Sequence, residues 1–551
     1  MEANQNLMSQ ITQTCRASGQ PFYISEEDQA FYEKMEVDIP RLSPVERMRR
    51  RLAFRNERNL YHRKCDLCKK EIVAMYDSDS PYTVYCQTCW WSDSWDPKSF
   101  AQEIDFSRSF FDQYAELMKK VPRISLMNKD HVNAEYGNFT LRNKDSYLLT
   151  TSAECEEAFY TKRSWNCRSI ADCSNCSQCE LCYETLDSQN CYNCAWLQNS
   201  SDSTDCTLGY NLKGCKNCFA CFNLANQSYC IYNEKYSKSE YEEKLKELKE
   251  DLPAEIEKFL SLNMIPRKFM DAINVENCSG DAVYNSKNSR YCFDVTHLED
   301  CKFVFDATHI KDAYDVNNDD HSELEYEVGG SEANYMHRFS DICWFNKYLT
   351  YCNLCFNSEY LFGCVGMKKG KYCILNKEYS KEEYESLMIR VVAHMKKTGE
   401  WGEFFPMGLS PFAYNETVAQ DYFPVTKEEA LSKGLKWKED VEKTAYQGPK
   451  LLPPPDAKEA GPEVTKSIFT CNVSGKLYKI TPQELALYKK LDVPLPQKAP
   501  EQRFKERMAR KNPRMLWVRP CSDCGVQMET VYSPKRPEKV LCEACYLKTV
   551  Y

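Results

Sequence analysis

Apolar positions change spacing along this chain, and the changes mark its elements. Phe110, Phe111, Tyr114, Leu117, Met118 and Val121 recur at three- and four-residue intervals before Pro122, which predicts a docking helix with one apolar face. Two further helices are announced by Ser-x-x-Glu, Ser237 with Glu240 and Ser380 with Glu383. There a serine hydroxyl and a glutamate carboxylate satisfy free backbone N–H groups. They are expected near 238–260 and 381–398. Between these helices the pattern is short and broken. Cysteines stand at 176, 191, 206 and 221, and the pairs Cys179/Cys194, Cys167/Cys182 and Cys215/Cys230 repeat the same fifteen-residue step. A constant short period predicts a β-solenoid, in which a residue used once per coil forms a ladder and cysteine fills a narrow interior.

Two duplications organise the whole. At an offset of 456 positions residues 15–89 align without a gap on 471–545, pairing Cys15 with Cys471, Tyr32 with Tyr488, Arg47 with Arg503 and Arg51 with Arg507. At an offset of 143, YCIYNEKYSKSEYEE from Tyr229 falls on YCILNKEYSKEEYES from Tyr372, and Cys221 on Cys364. The expected divisions are 1–100, an N-terminal helical segment with a cysteine module; 101–145, docking helix and connector; 146–273 and 274–400, two solenoid modules each with a helix; 401–465, connector and linker; and 466–551, the second copy of the terminal module. The stretch Leu451 to Pro462, LLPPPDAKEAGP, reads as an extended linker.

Each terminal copy carries C-x2-C, seventeen residues, C-x2-C: Cys65, Cys68, Cys86 and Cys89, then Cys521, Cys524, Cys542 and Cys545. This spacing lets two turns present four thiolates to one tetrahedral ion, so two structural zinc ions are expected, with iron in a similar S4 site as the lesser choice. Val531 to Cys542 is expected to form a short hairpin. Ahead of each lies C-x2-S-G, from Cys15 and from Cys471, with Ser18, Ser43 and Glu46, or Ser474, Ala499 and Gln502, where further cysteines would complete a site. This reads as a fold kept without its metal.

Composition narrows the setting. Thirty-one cysteines in 551 residues suit disulfides only in an oxidising compartment, and MEANQNLMSQITQTC lacks the basic start and apolar core of a signal peptide. No run approaches a membrane span, so a reducing cytoplasm and no membrane partner are expected. The formal charge of −9 argues against a general nucleic-acid coat. The stretches leading into the metal cysteines are nonetheless basic, and Arg49, Arg50, Arg51, Arg55, Arg507, Arg510 and Lys511 are the candidate phosphate contacts. Trp90 and Trp91 stand by to stack on bases. The competing reading is that these cations answer acidic surfaces of the same protein.

The middle offers weaker chemistry. Cys173, Cys176, Cys179 and Cys182 form a C-x2-C-x2-C-x2-C run like those of iron–sulfur proteins, but without the following proline. Phe293-Asp294-Val295-Thr296-His297 recurs twelve residues on as Phe305-Asp306-Ala307-Thr308-His309, followed by Asp315 and His321. Stacking would gather two Asp and two His as a metal site or an acid–base pair, although repeated coils build such ladders without any chemical purpose. Seven histidines and no phosphate-binding glycine loop leave an enzyme the least favoured class, and no catalytic residue is assigned.

RRRLAFRNERNLYHRKCDLC, YTVYCQTCWWSD, EWGEFFPMGLSPFAYNETVAQDYFP and the CSDC to CEAC module resemble a cysteine-rich repeat family with zinc ribbons found in candidate-phyla bacteria. The resemblance spans nearly the full chain and implies no established activity. The terminal modules are separately similar to small zinc modules appended to bacterial and archaeal proteins, some of them nucleic-acid-related. The expectation is thus a multidomain α+β protein, with two zinc-ribbon or treble-clef-like modules flanking a duplicated cysteine-rich β-solenoid with capping helices. Its expected role is a non-enzymatic scaffold that contacts nucleic acid or a ribonucleoprotein, or else protein partners.

Overall fold

The computed structural model describes residues 10–134, 136–172, 180–183, 195–262, 265–439, 451–454, 457–491 and 493–550. Its centre is a β-solenoid in two arrays. In both, a residue pairs in parallel with the residue twelve further on: Asn138 with Thr150, Glu156 with Arg168, Thr207 with Phe219, Phe293 with Phe305, Tyr335 with Lys347, and Leu361 with Cys373. The coil is therefore twelve residues long, not fifteen. Every third residue turns a corner with positive φ; Asp145, Leu148, Thr151, Glu154, Glu157 and Tyr160 have φ between 49° and 58°. Each coil thus has four sides of three residues. Fifteen is one coil plus one side, so the cysteine recurrence counts sides rather than coils.

The corners explain the cysteines. An inward thiol has its single hydrogen within reach of two carbonyls, one two residues back and one nine residues on, as Cys355 Sγ lies 3.6 Å from Asn353 O and 3.5 Å from Cys364 O. Serine performs the same task at equivalent places. Ser340 Oγ donates to Arg338 O at 3.0 Å and accepts from the Cys352 amide at 3.3 Å. Asn353 O, Cys364 O and Arg338 O already accept the amides of Gly366, Asn353 and Tyr351, so a small side chain with a donor fills the narrow interior and gives each buried carbonyl a second bond. The second array opens with a shorter coil, Ala272 pairing with Val283. Gly280 is needed there: a Cβ would stand 1.7 Å from the carbonyl oxygen of Cys292.

Each array closes with an antiparallel hairpin, Ser228–Ile231 with Glu234–Lys235 and Lys371–Ile374 with Lys377–Glu378. Helices Lys238–Lys249 and Lys381–Thr398 follow, and both capping boxes are formed. The helix Phe110–Lys120 buries Phe110, Tyr114, Leu117 and Met118. Its partners include Tyr351 and Phe362 of the second array and Phe405 of the following connector. The expected linker is in part packed, because Ala457 and Ala460 lie buried in a core with Tyr488. Among the described residues no helix is long and apolar enough to cross a membrane.

The terminal modules dock crosswise. The N-terminal copy shares its core with the second array, Phe31 stacking on Tyr314 at 3.8 Å, whereas the C-terminal copy shares its core with the first. Both cysteine modules also add a strand to the chain leading into an array. Val84–Tyr85 pairs with Arg123–Ile124 ahead of the first, and Val540–Leu541 with Arg267–Lys268 ahead of the second. Each terminal unit is therefore a staple joining both arrays.

Candidate metal centres

The two cysteine modules are built alike. An antiparallel hairpin, Tyr61–Lys64 with Glu71–Ala74, carries Cys65 and Cys68 in its turn, closed by Cys65 N–H to Lys70 O at 2.8 Å and Lys69 N–H to Cys65 O at 2.9 Å. Cys86 caps the short helix Gln87–Trp91, on which Cys89 lies. In the second module the hairpin is Trp517–Pro520 with Gln527–Thr530, and Gly525, at φ 76°, makes the turn. The third and fourth ligands, Cys542 and Cys545, stand at the start of the helix Glu543–Val550. The hairpin expected over Val531 to Cys542 does not form, because Val540–Leu541 is taken by Arg267–Lys268.

The sulfur positions suit a tetrahedral ion. Four thiolates about 2.3 Å from zinc lie about 3.8 Å apart. Cys68 and Cys86 Sγ are 3.8 Å apart, and Cys524 and Cys542 Sγ 3.7 Å, far beyond disulfide contact. In each set all four ligand atoms fall within 4.8 Å of one another. Burial pushes the Cys65 thiol up, but amides of Cys86, Cys68 and Leu67 directed at it more than offset this and bring it to about 7. The same balance, with amides of Cys524, Cys542 and Asp523, brings Cys521 to about 6. Each site is thus prepared to hold a thiolate at neutral pH.

The eroded modules keep the turn without the ligands. Cys15 N–H bonds Gln20 O and Gly19 N–H bonds Cys15 O, both at 2.8 Å, and Ser43 caps the next helix, Pro44–Leu52, as Cys86 does its own. The Ser43 amide points at Cys15 Sγ, 3.3 Å away. Cys471 repeats the turn with Lys476 and Gly475.

The seven candidate phosphate contacts are placed differently from the expectation. Arg51 is buried and bonds Asn317 and Asp315; Arg55 is buried against Glu57; Arg507 is buried against Asp172. Lys511 bonds Asp294 at 2.9 Å, Arg50 bonds Glu403 at 3.1 Å, Arg49 bonds Glu46 at 3.2 Å, and Arg510 is half-buried. Arg51, Arg55, Arg507 and Lys511 bond residues of the arrays and hold the terminal units to the solenoid, whereas Arg49 answers Glu46 of its own helix and Arg50 the connector residue Glu403. Trp90 is also buried, packed edge-on to Phe356, while Trp91 remains 45% exposed.

Among the described cysteines the only four-sulfur groups are the two terminal ones. Cys173, Cys176 and Cys179 of the iron–sulfur-like run lie outside the described residues. The Asp and His repeats do stack, but they part company. Asp294 and Asp306 meet Arg163, Lys511 and Arg514, and despite burial these cations hold both carboxyls below the usual range. Asp315 stands at a corner and is buried beneath Arg47 and Arg51 of the N-terminal unit. The histidines form an outward column, with His297 and His309 rings 4.6 Å apart and His309 and His321 4.4 Å apart.

A polar group inside the second array escaped sequence reading. One inward column runs Ala313, Glu325, His337, Leu349, Leu361, Cys373. Ser331 Oγ donates to Glu325 at 3.0 Å, and His337 Nδ1 is 3.9 Å from the same carboxylate oxygen. Burial and neighbouring Asp319 drive the Glu325 carboxyl up, and burial drives His337 down to about 3, so the interior disfavours the charged form of each. With a twelve-residue period in hand, two titratable residues in an apolar column would have stood out.

Between the arrays lies a cleft of about 1930 Å³, walled by Arg142, Glu154 and Trp165 on one side and by His309, Asp320 and Phe345 on the other, with Trp91 at the first cysteine module. Trp165 is 41% and Phe345 50% exposed. No protein-family model matches this chain, and no curated protein matches it either.

Proposed function

We propose that this chain is a non-enzymatic scaffold in which two zinc-bound staples hold two β-solenoid arrays against each other, and that the cleft between them receives a segment of a protein partner. The reading rests on the composition of the cleft. Its walls carry Glu71, Asp130, Glu154, Asp294, Asp306, Asp319, Asp320 and Glu332 against Arg55, Lys129, Arg142 and Arg163. Glu154 is answered by Arg142, and Asp294 and Asp306 by Arg163, Lys511 and Arg514; with Arg55 held by Glu57, the further carboxyls Asp130, Asp319, Asp320 and Glu332 still leave the cleft an acidic balance that disfavours a phosphate backbone. Exposed Trp91, Trp165 and Phe345 supply the aromatic anchors typical of protein interfaces. A nucleic-acid or ribonucleoprotein partner, the reading suggested by the basic stretches, loses its support once those stretches are spent on internal ion pairs.

The test is affinity capture with the full-length protein and with Trp91→Ala/Trp165→Ala/Phe345→Ala, with and without nuclease. Protein partners that survive nuclease and are lost with the triple variant support the reading. Partners lost on nuclease treatment, with binding that weakens steeply with salt, would return the argument to nucleic acid.

A further inference from the structure

Outside the cysteine modules, the histidine column at the wall of the cleft brings three metal-ligating side chains together around a polar atom without a hydrogen-bond partner. The twelve-residue step places Thr296-His297, Thr308-His309 and Asp320-His321 one above another, with Thr296 paired to Thr308, and Glu332 stacked on Asp320 in the next coil. In the first two layers the threonine hydroxyl lies against Nδ1 of the adjacent imidazole, at 3.0 Å for His297 and 2.9 Å for His309. In the third layer a carboxylate replaces the hydroxyl. Asp320 Oδ1 is 2.6 Å from His321 Nδ1 and 3.7 Å from His309 Nδ1, and this oxygen, out of contact with solvent, makes no hydrogen bond of proper geometry.

A ladder generated only by repetition would have kept the threonine. We propose that His309, Asp320 and His321 form a third metal site, for a divalent first-row transition ion, open to the cleft. All three ligand atoms lie within 4.8 Å of one another. Ligands about 2.0–2.1 Å from zinc stand about 3.3 Å apart, and the two separations to Asp320 straddle that value. The only competing contact to be given up is that of the Thr308 hydroxyl, which turns away. Two imidazoles and one carboxylate are intermediate ligands that favour such ions over calcium or magnesium. They supply three bonds and leave the remaining positions to water or a donor from whatever occupies the cleft.

The surroundings favour a cation. Asp319, Asp320 and Glu332 line the cleft together here. The site does not depend on the terminal thiolates, so it stands or falls apart from the zinc staples, and it requires no particular partner in the cleft.

The experiment is calorimetric titration of Zn²⁺ into full-length protein whose cysteine sites are already filled, followed by electron paramagnetic resonance with Cu²⁺ as the probe. One further zinc equivalent is expected. His309→Ala/His321→Ala removes it, Asp320→Asn weakens it at least tenfold, and His297→Ala leaves it unchanged, while the copper spectrum shows coupling to two imidazole nitrogens. These side chains are 44–60% exposed, so the variants are expected to fold, which circular dichroism checks. Should the double variant unfold, His321→Gln replaces it. No additional equivalent in the wild type, an equal uptake by the variant, or a copper spectrum with oxygen ligands alone would each overturn the assignment.

Discussion

The guanidinium of Arg47 and the carboxylate of Asp315 meet at 2.8 Å with both side chains shut off from solvent, although 268 residues separate them. The same contact is made a second time, by Arg503 and Asp172 at 2.6 Å. Arg503 is Arg47 displaced by the terminal repeat, and Asp315 is Asp172 displaced by the central one. Ring contacts repeat as well: Arg47 lies 5.6 Å from the Phe303 ring and Arg503 lies 5.3 Å from that of Tyr160. Two independent duplications thus converge on one crossed arrangement, in which each end of the chain grips the array more distant in sequence.

Asp315→Ala leaves Arg47 and Arg51 buried without their shared anion, and breaking a buried pair in this way costs about 3–5 kcal/mol. Asp172→Ala should cost about the same, because Arg503 and Arg507 converge there. Chemical denaturation of the two variants measures it. A loss under about 1 kcal/mol in either would mean that the crossed docking is held by apolar packing alone.

Cysteine has two separable roles here, and paired substitutions tell them apart. Cys68→Ser or Cys524→Ser should each lower the zinc content by one ion per chain. Cys355→Ser should leave zinc unchanged and cost about 1 kcal/mol, the scale of one hydrogen bond, because serine already bonds corner carbonyls at Ser340. Elemental analysis and thermal melting give both readings. Zinc lost on Cys355→Ser would make the interior column a ligand set after all.

Removing metal from the C-terminal staple has a local signature. Arg267 N–H bonds Lys539 O and Phe269 N–H bonds Leu541 O, both at 2.9 Å, so the strand that opens the second array is held by the cysteine module. Chelation should speed amide exchange at Arg267 and Phe269 well before it affects Leu349 or Leu361 deep in the array. Uniform acceleration along the chain would mean that the staple and the solenoid unfold as one unit.

Much of this was legible in the sequence, and the misses have physical causes. Ser237 with Glu240 and Ser380 with Glu383 announce helix starts by local chemistry alone, and local chemistry was sufficient. The thiolate spacing around Cys65 and Cys521 is likewise self-contained. The coil length was misread because side chains point inward at every third residue, so cysteines mark any multiple of three. Only long repeated stretches such as Phe293 to His297 reveal the true step of twelve. Arg51 and Arg507 were misread for a different reason. Their partners, Asp315 and Asp172, are hundreds of residues away, and a basic helix that will be buried looks the same in sequence as one that will face water.

One buried carboxyl gives a pH test whose sign is fixed. Burial and neighbouring Asp271 raise Asp281 to about 7, partly opposed by the Asp271 amide and by Asn512 Nδ2, which donates to it at 3.0 Å. In the unfolded chain an aspartate titrates near 3.9. Between these values the folded state holds a proton that the unfolded state has released, so this group's contribution to stability falls as pH rises from about 4 to about 7 and is flat above. Asp281→Asn, which cannot ionise, removes the slope. Its melting temperature relative to wild type should therefore rise between pH 5.5 and pH 8, where the wild type bears the cost of a buried charge. The difference between the two proteins cancels any shared loss of zinc in acid. An unchanging difference across that range would mean that Asp281 is already ionised at pH 5.5 and that Asn512 and the Asp271 amide outweigh its burial.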